Sequence, residues 1–178
     1  MASSTNSKRR QLVLATTTGA TLVGAAAWWA SLNAKTYPHG DVLNLDISRL
    51  QNGTLLTVEW QAKPVWILRR TLAEVAALSE HDAMLIDPQS TQSQQPPDCR
   101  NGQRSVRADI FVAIGVCTHQ GCTPTLQSGS GFLCPCHASR YDLAGRVFQH
   151  GPATANLVIP AYHFAAESRL VLGVSAQG

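Results

Sequence analysis

Residues 117–122, "CTHQGC", and residues 134–137, "CPCH", together hold four of the chain's five cysteines and two of its six histidines. Such a concentration of sulfur and imidazole serves a metal, a disulfide, or both. Cys117 and His119 lie two residues apart; Cys134 and His137 lie three apart. Two short loops, each offering one sulfur and one nitrogen, can clamp one metal centre from opposite sides. Tetrahedral zinc accepts two cysteines and two histidines, but zinc fingers usually separate the cysteine pair from the histidine pair. Mixed loops better suit a two-iron cluster in which two thiolates hold one iron and two imidazoles the other.

Two motif cysteines are left over, Cys122 and Cys136, one on each loop. A disulfide between them would tie the loops together, and closing a loop of that length is worth roughly 3 kcal/mol in the chain-entropy model. It would also require an oxidising compartment. The fifth cysteine, Cys99, sits in a polar stretch and reads as a free thiol or as one that pairs with another chain.

Outward from the motifs the pattern is mostly β. "ADIFVAIGV" reads as a buried strand running into Cys117, and "DVLNLDI", "LLTVEW" and "PVWILRR" read as alternating strands. "TLAEVAALSEHD" has helical spacing, with Thr71 as N-cap and Glu74 three residues on. Residues 87–105 are polar and proline-rich and predict a long surface loop. Two or three further strands follow Arg146, with turns at Gly151–Pro152 and Glu167–Ser168. Arg69 and Arg70 read as a solvated strand end, and His39, His81, His150 and His163 as surface or core residues.

The N-terminus differs. Gln11 to Ala34 carries no charge, and its 24 residues would span about 36 Å as a helix, enough to cross a bilayer core. Lys8, Arg9 and Arg10 precede it, which places the N-terminus in the cytoplasm. Paired arginines followed by a mildly apolar run look like a twin-arginine export signal, a route for proteins already folded around a cofactor. The run is read as an uncleaved anchor; the small residues before Trp28 also fit a cleaved signal. The division expected is residues 1–10 as the cytoplasmic n-region, 11–32 as a transmembrane anchor, 33–41 as a flexible neck and 42–178 as the head. Net charge is +3, all of it supplied by Lys8, Arg9 and Arg10, so nucleic-acid binding has no support.

"CTHQGC … CPCHASRYD" resembles the Rieske iron–sulfur proteins of quinol–cytochrome c oxidoreductases. "KPVWILRRT", "DPQS" and "GPATANLVIPAYHF" are similar to that family in the same order. The resemblance implies a mostly β chain: a small antiparallel β-sandwich head with a cluster-binding subdomain, plus one N-terminal transmembrane helix. It implies one [2Fe-2S] cluster, with Cys117 and Cys134 on the inner iron and His119 and His137 on the outer. It implies a Cys122–Cys136 disulfide, with Ser139 and Tyr141 donating hydrogen bonds to sulfur, which raises the reduction potential. Gly151-Pro152-Ala153 matches the family's third, covering loop. Thr154, Gln120 and Ala138 depart from the residues common there, a proline, a leucine and a glycine.

By the same resemblance the head accepts an electron from ubiquinol at cytochrome b, swings on the neck, and passes it to cytochrome c1 within a dimeric complex. The complex would sit in a bacterial inner membrane with the head in the periplasm, contributing to proton translocation. His137 is expected to contact quinol, with His119 second; each would keep one ring nitrogen free to carry a proton, giving a pH-dependent midpoint potential. The rivals are the small Rieske subunit of another exported oxidoreductase such as arsenite oxidase, a Rieske ferredoxin serving an oxygenase, and a zinc- or disulfide-stabilised binding module. "GPATANLVIP" and "KPVWILRRT" argue against the first, and the Cys122/Cys136 pair against the second.

Overall fold

The structure is a computed structural model that describes residues 42–176. The expected export signal, anchor and neck lie outside the described residues, among which no helix is long and apolar enough to cross a membrane.

The head is built from three antiparallel sheets of three strands each. In the first, β1 (Leu43–Asp46) pairs with β9 (Arg169–Leu172), which pairs with β8 (Tyr162–Ala166), so the two ends of the head close on one another. In the second, β2 (Thr54–Trp60), β3 (Lys63–Arg69) and β4 (Ile110–Ile114) lie side by side. The third is small: β5 (Thr125–Gln127), β6 (Gly131–Leu133) and β7 (Arg140–Tyr141). Buried side chains from all three sheets form one continuous core.

Local chemistry accounts for these elements. β1 alternates buried and exposed as its sequence predicts. β3 does not: Val65, Trp66, Ile67 and Leu68 are all buried, because a central strand is covered on both faces. Gln61 and Ala62 join β2 to β3 with φ of 51° and 56°, the conformation of a type I′ hairpin turn. Neither is a residue that announces such a turn. The helix α1 (Leu72–Ala77) begins with the predicted capping box. Thr71 Oγ1 accepts from the Glu74 N–H at 3.1 Å, and Glu74 Oε2 accepts from the Thr71 N–H at 2.7 Å. A 3-10 turn, Leu78–Met84, continues it.

Two expectations are overturned. Residues 87–105 form no simple surface loop: Asp87, Ser90, Cys99, Arg104 and Ser105 are buried. Their polar groups are used internally; Asp87 alone accepts from the N–H groups of Thr91 and Gln92 and the hydroxyls of Thr91 and Ser93. Nor is Arg70 a solvated strand end, since its side chain is buried and bonds to Gln103, Ser105 and Leu143. Cys99 is free and fully buried beside the Tyr162 hydroxyl, out of reach of another chain.

Candidate metal centre

β4 and β6 deliver the two cysteine loops. After the buried run of β4 the chain turns at Cys117, whose N–H donates to the Cys122 carbonyl at 2.7 Å while its own carbonyl accepts from Gly121 at 2.9 Å. The second loop repeats that frame. The Cys134 N–H donates to the Ser139 carbonyl at 2.8 Å, and the Cys134 carbonyl accepts from Ala138 at 3.0 Å. The small sheet holds the second loop from behind. Phe132 of β6 stacks on Trp66 of β3, ring centroids 4.7 Å apart, which locks this sheet to the larger one. Gly131 is required there: its φ is 103°, and a β-carbon would overlap the Tyr141 carbonyl oxygen.

The predicted site residues converge. Cys122 and Cys136 are joined by a disulfide between the loops. Cys117 and Cys134 are free thiols, 3% and 1% exposed. The rings of His119 and His137 stand perpendicular with centroids 4.9 Å apart, the first half-buried and the second exposed. Sulfur therefore lies inward and imidazole outward. The sulfurs of Cys122, Cys134 and Cys136 also lie within 4.8 Å of one another. An oxidised pair has no thiolate to give a metal, which leaves Cys117 and Cys134 as the free sulfurs beside the two imidazoles.

The surroundings favour anionic sulfur at one of these positions. Burial raises the Cys117 thiol, but hydrogen bonds from the Tyr141 hydroxyl and the His119 backbone outweigh it, and its pKa ends below the ordinary value. Cys134 is pushed up, first by burial and also by the neighbouring Cys117. The Tyr141 hydroxyl lies 3.3 Å from Cys117 Sγ, and burial holds its phenol well above the usual range. Sequence reasoning left Thr118 without a role. Its N–H donates to the Tyr141 oxygen at 3.1 Å, and its hydroxyl donates to the Ala155 carbonyl at 2.6 Å, tying the first loop to the third. Only its place between the two ligand candidates hinted at this.

Ser139 supplies the test of what the site holds. Its hydroxyl is buried and, apart from its influence on the Cys117 thiol, finds no hydrogen-bond partner among the described residues. Leaving such a group unsatisfied costs about 1–3 kcal/mol. An inorganic sulfide between the loops would accept that hydrogen bond, and two thiols with two imidazoles complete the donor set of a Rieske cluster. The residues present fit the group.

Fold and donor set define the Rieske class of iron–sulfur domain, and a family model described as the Rieske [2Fe-2S] domain matches residues 99–163. The chain is 42% identical over 185 residues to the ubiquinol–cytochrome c reductase iron–sulfur subunit of Allochromatium vinosum, covering 94% of this chain and 89% of that protein. It is 36% identical over 174 residues to the subunit of the same name from Bradyrhizobium diazoefficiens, covering 93% and 94% respectively. A solved chain of a hyperthermophilic respiratory Complex III superposes with a TM-score of 0.50 at 23% identity, covering 83% of this chain and 90% of that one, which is a likeness of fold. The chain belongs to the family of Rieske iron–sulfur subunits of ubiquinol–cytochrome c reductases.

Proposed function

We propose that this chain takes one electron from ubiquinol at a cytochrome b subunit and passes it to cytochrome c1. The observation that carries the reading is the polarity of the site: thiols sheltered, imidazoles facing out, and a buried serine hydroxyl awaiting an acceptor. A bound [2Fe-2S] cluster supplies a one-electron acceptor there. Cys117 and Cys134 would hold one iron of that cluster and His119 and His137 the other, while the Cys122–Cys136 disulfide keeps the loops closed. Ser139 and Tyr141 donate hydrogen bonds toward sulfur, which favours the added electron. His137, the more exposed imidazole, offers its free ring nitrogen to the quinol hydroxyl and takes its proton; His119 is second.

The names of the relatives support ubiquinol as the electron donor and a cytochrome c reductase as the complex, in which cytochrome b and cytochrome c1 would be the partners and the setting a membrane. The uncharged run 11–32 serves as a single-pass anchor behind the basic residues 8–10, residues 33–41 as the neck on which the head moves, and residues 42–178 as a periplasmic head in a dimeric complex. The test is a redox titration of the loaded protein followed by electron paramagnetic resonance. Ser139→Ala and Tyr141→Phe should each lower the midpoint potential while leaving the iron content intact. Potentials equal to the wild type would remove the roles given to these hydroxyls.

A further inference from the structure

Arg70, Arg104 and Arg146 are each no more than 1% exposed. Arg146 is neutralised by Asp142 at 2.7 Å and Asp82 at 2.8 Å. Arg70 and Arg104 meet only neutral acceptors. Arg70 donates to Ser105 Oγ at 2.7 Å and to the carbonyls of Gln103 at 3.0 Å and Leu143 at 3.3 Å. Arg104 donates to the carbonyls of Leu157 at 2.7 Å, Gly145 at 3.2 Å and Ala144 at 3.3 Å, and to Gln95 Oε1 at 3.1 Å. A buried cation with no carboxylate bonded to it is costly even when its N–H groups are satisfied, although Asp142 and Asp109 act on Arg70, and Asp142 and Asp87 on Arg104, from farther off. Here the Nε of each guanidinium also lacks a partner.

The positions of the acceptors are informative. Leu143, Ala144 and Gly145 form the turn that follows Ser139 and Tyr141, and Leu157 lies at the exit of the third loop. The two cations therefore bond to the turn that begins two residues after Tyr141. They stay charged at neutral pH: burial draws each down to about 10, with Asp142 pulling the other way.

We propose that Arg70 and Arg104 are positioning residues that clamp this turn and, as buried cations whose N–H groups meet no carboxylate, raise the electron affinity of the metal centre that the preceding cysteine loop would hold. The proposal rests on the cluster reading given above. The physical reason is that a charge inside the protein acts through a low effective dielectric and is little screened by salt, so an added electron meets a standing positive field. A clamp made only for stability would work equally well with a carboxylate among its acceptors.

That difference gives the test. Gln95→Glu supplies a carboxylate to Arg104, and Ser105→Asp supplies one to Arg70. In the full-length, cluster-loaded protein each should lower the equilibrium constant for reduction about tenfold, which is about 59 mV for a one-electron couple. The electron paramagnetic resonance g values should not change, because ligands and hydroxyls are untouched. Thermal midpoints will move separately, since Gln95→Glu also removes the donor to the Ser90 carbonyl. Arg104→Lys keeps the charge but loses the fork; it should lower the thermal midpoint and leave the potential near the wild-type value. Both carboxylate variants at the wild-type potential, or loss of the cluster from both, would overturn the proposal. A wild-type protein with no iron–sulfur signal would instead remove the cofactor reading beneath it.

Discussion

The loops Cys117–Cys122 and Cys134–Ser139 share one backbone frame and carry different cargo. In each, the first cysteine's N–H reaches the residue five on, and its carbonyl accepts from the residue four on. Each fourth residue has positive φ, 83° at Gly121 and 58° at Ala138. Yet the histidine comes two residues after the cysteine in one loop and three in the other. The disulfide cysteine closes the first loop and sits mid-way in the second. A single tight turn thus presents sulfur inward, and the offset of the imidazole sets how far each nitrogen stands out: His119 half-buried, His137 exposed. A shared frame with unequal side-chain order would let two loops grip one centre asymmetrically.

The most severe break in that comparison is removal of either inner sulfur. Cys117→Ser and Cys134→Ser should each abolish cluster binding, read as loss of iron and of visible absorption, while far-ultraviolet circular dichroism of the head persists. Next comes the staple. Cys122→Ser with Cys136→Ser opens a closure of sequence separation 14 and should cost roughly 3 kcal/mol in chemical denaturation. The shared frame can then be probed residue against residue. Gly121→Ala introduces a β-carbon where nothing lies within 4 Å, so its cost, about 1 kcal/mol, is conformational. Ala138→Gly relieves the same strain in the other loop and should change stability by less than about 1 kcal/mol, because the glycine also loosens the unfolded chain. Equal losses at both positions would show that the loops are not equivalent frames. The smallest effect lies outside the loops. Burial raises Asp87, but hydrogen bonds from Ser93, Thr91 and Gln92 outweigh it and leave its pKa lowered. A depressed carboxylate contributes stability that is complete above the ordinary value near 4 and is lost as pH falls below it. Asp87→Asn should therefore flatten the acid limb of a thermal-midpoint profile.

The site was more legible in the sequence than the scaffold beneath it. Metal ligands and disulfides need particular atoms at short spacings, so Cys117, His119, Cys134 and His137 stand out, as does the capping box at Thr71 and Glu74. The hairpin turn at Gln61 and Ala62 carries no glycine or asparagine, because the tightly paired strands impose its positive φ. The buried polar segment 87–105 misled for a related reason. Its polarity suggests solvent, yet the Asp87 carboxylate is taken up by Thr91, Gln92 and Ser93 in its own loop, while Arg104 and Ser105 find partners tens of residues away, and no local pattern records a long-range hydrogen bond. Arg70 was misread as a surface charge for the same cause. The strands of the small sheet, two or three residues long, are below the length at which periodicity can be recognised.

The central claim is that sulfur holds the sheltered iron and imidazole the exposed one. Electron paramagnetic resonance of the reduced, full-length protein, with a matched iron analysis, tests it most directly. The account predicts two irons per chain and a rhombic signal of low average g that is lost when either His119 or His137 is replaced by alanine. An unchanged signal in either variant, or a wild-type protein free of iron, would contradict it.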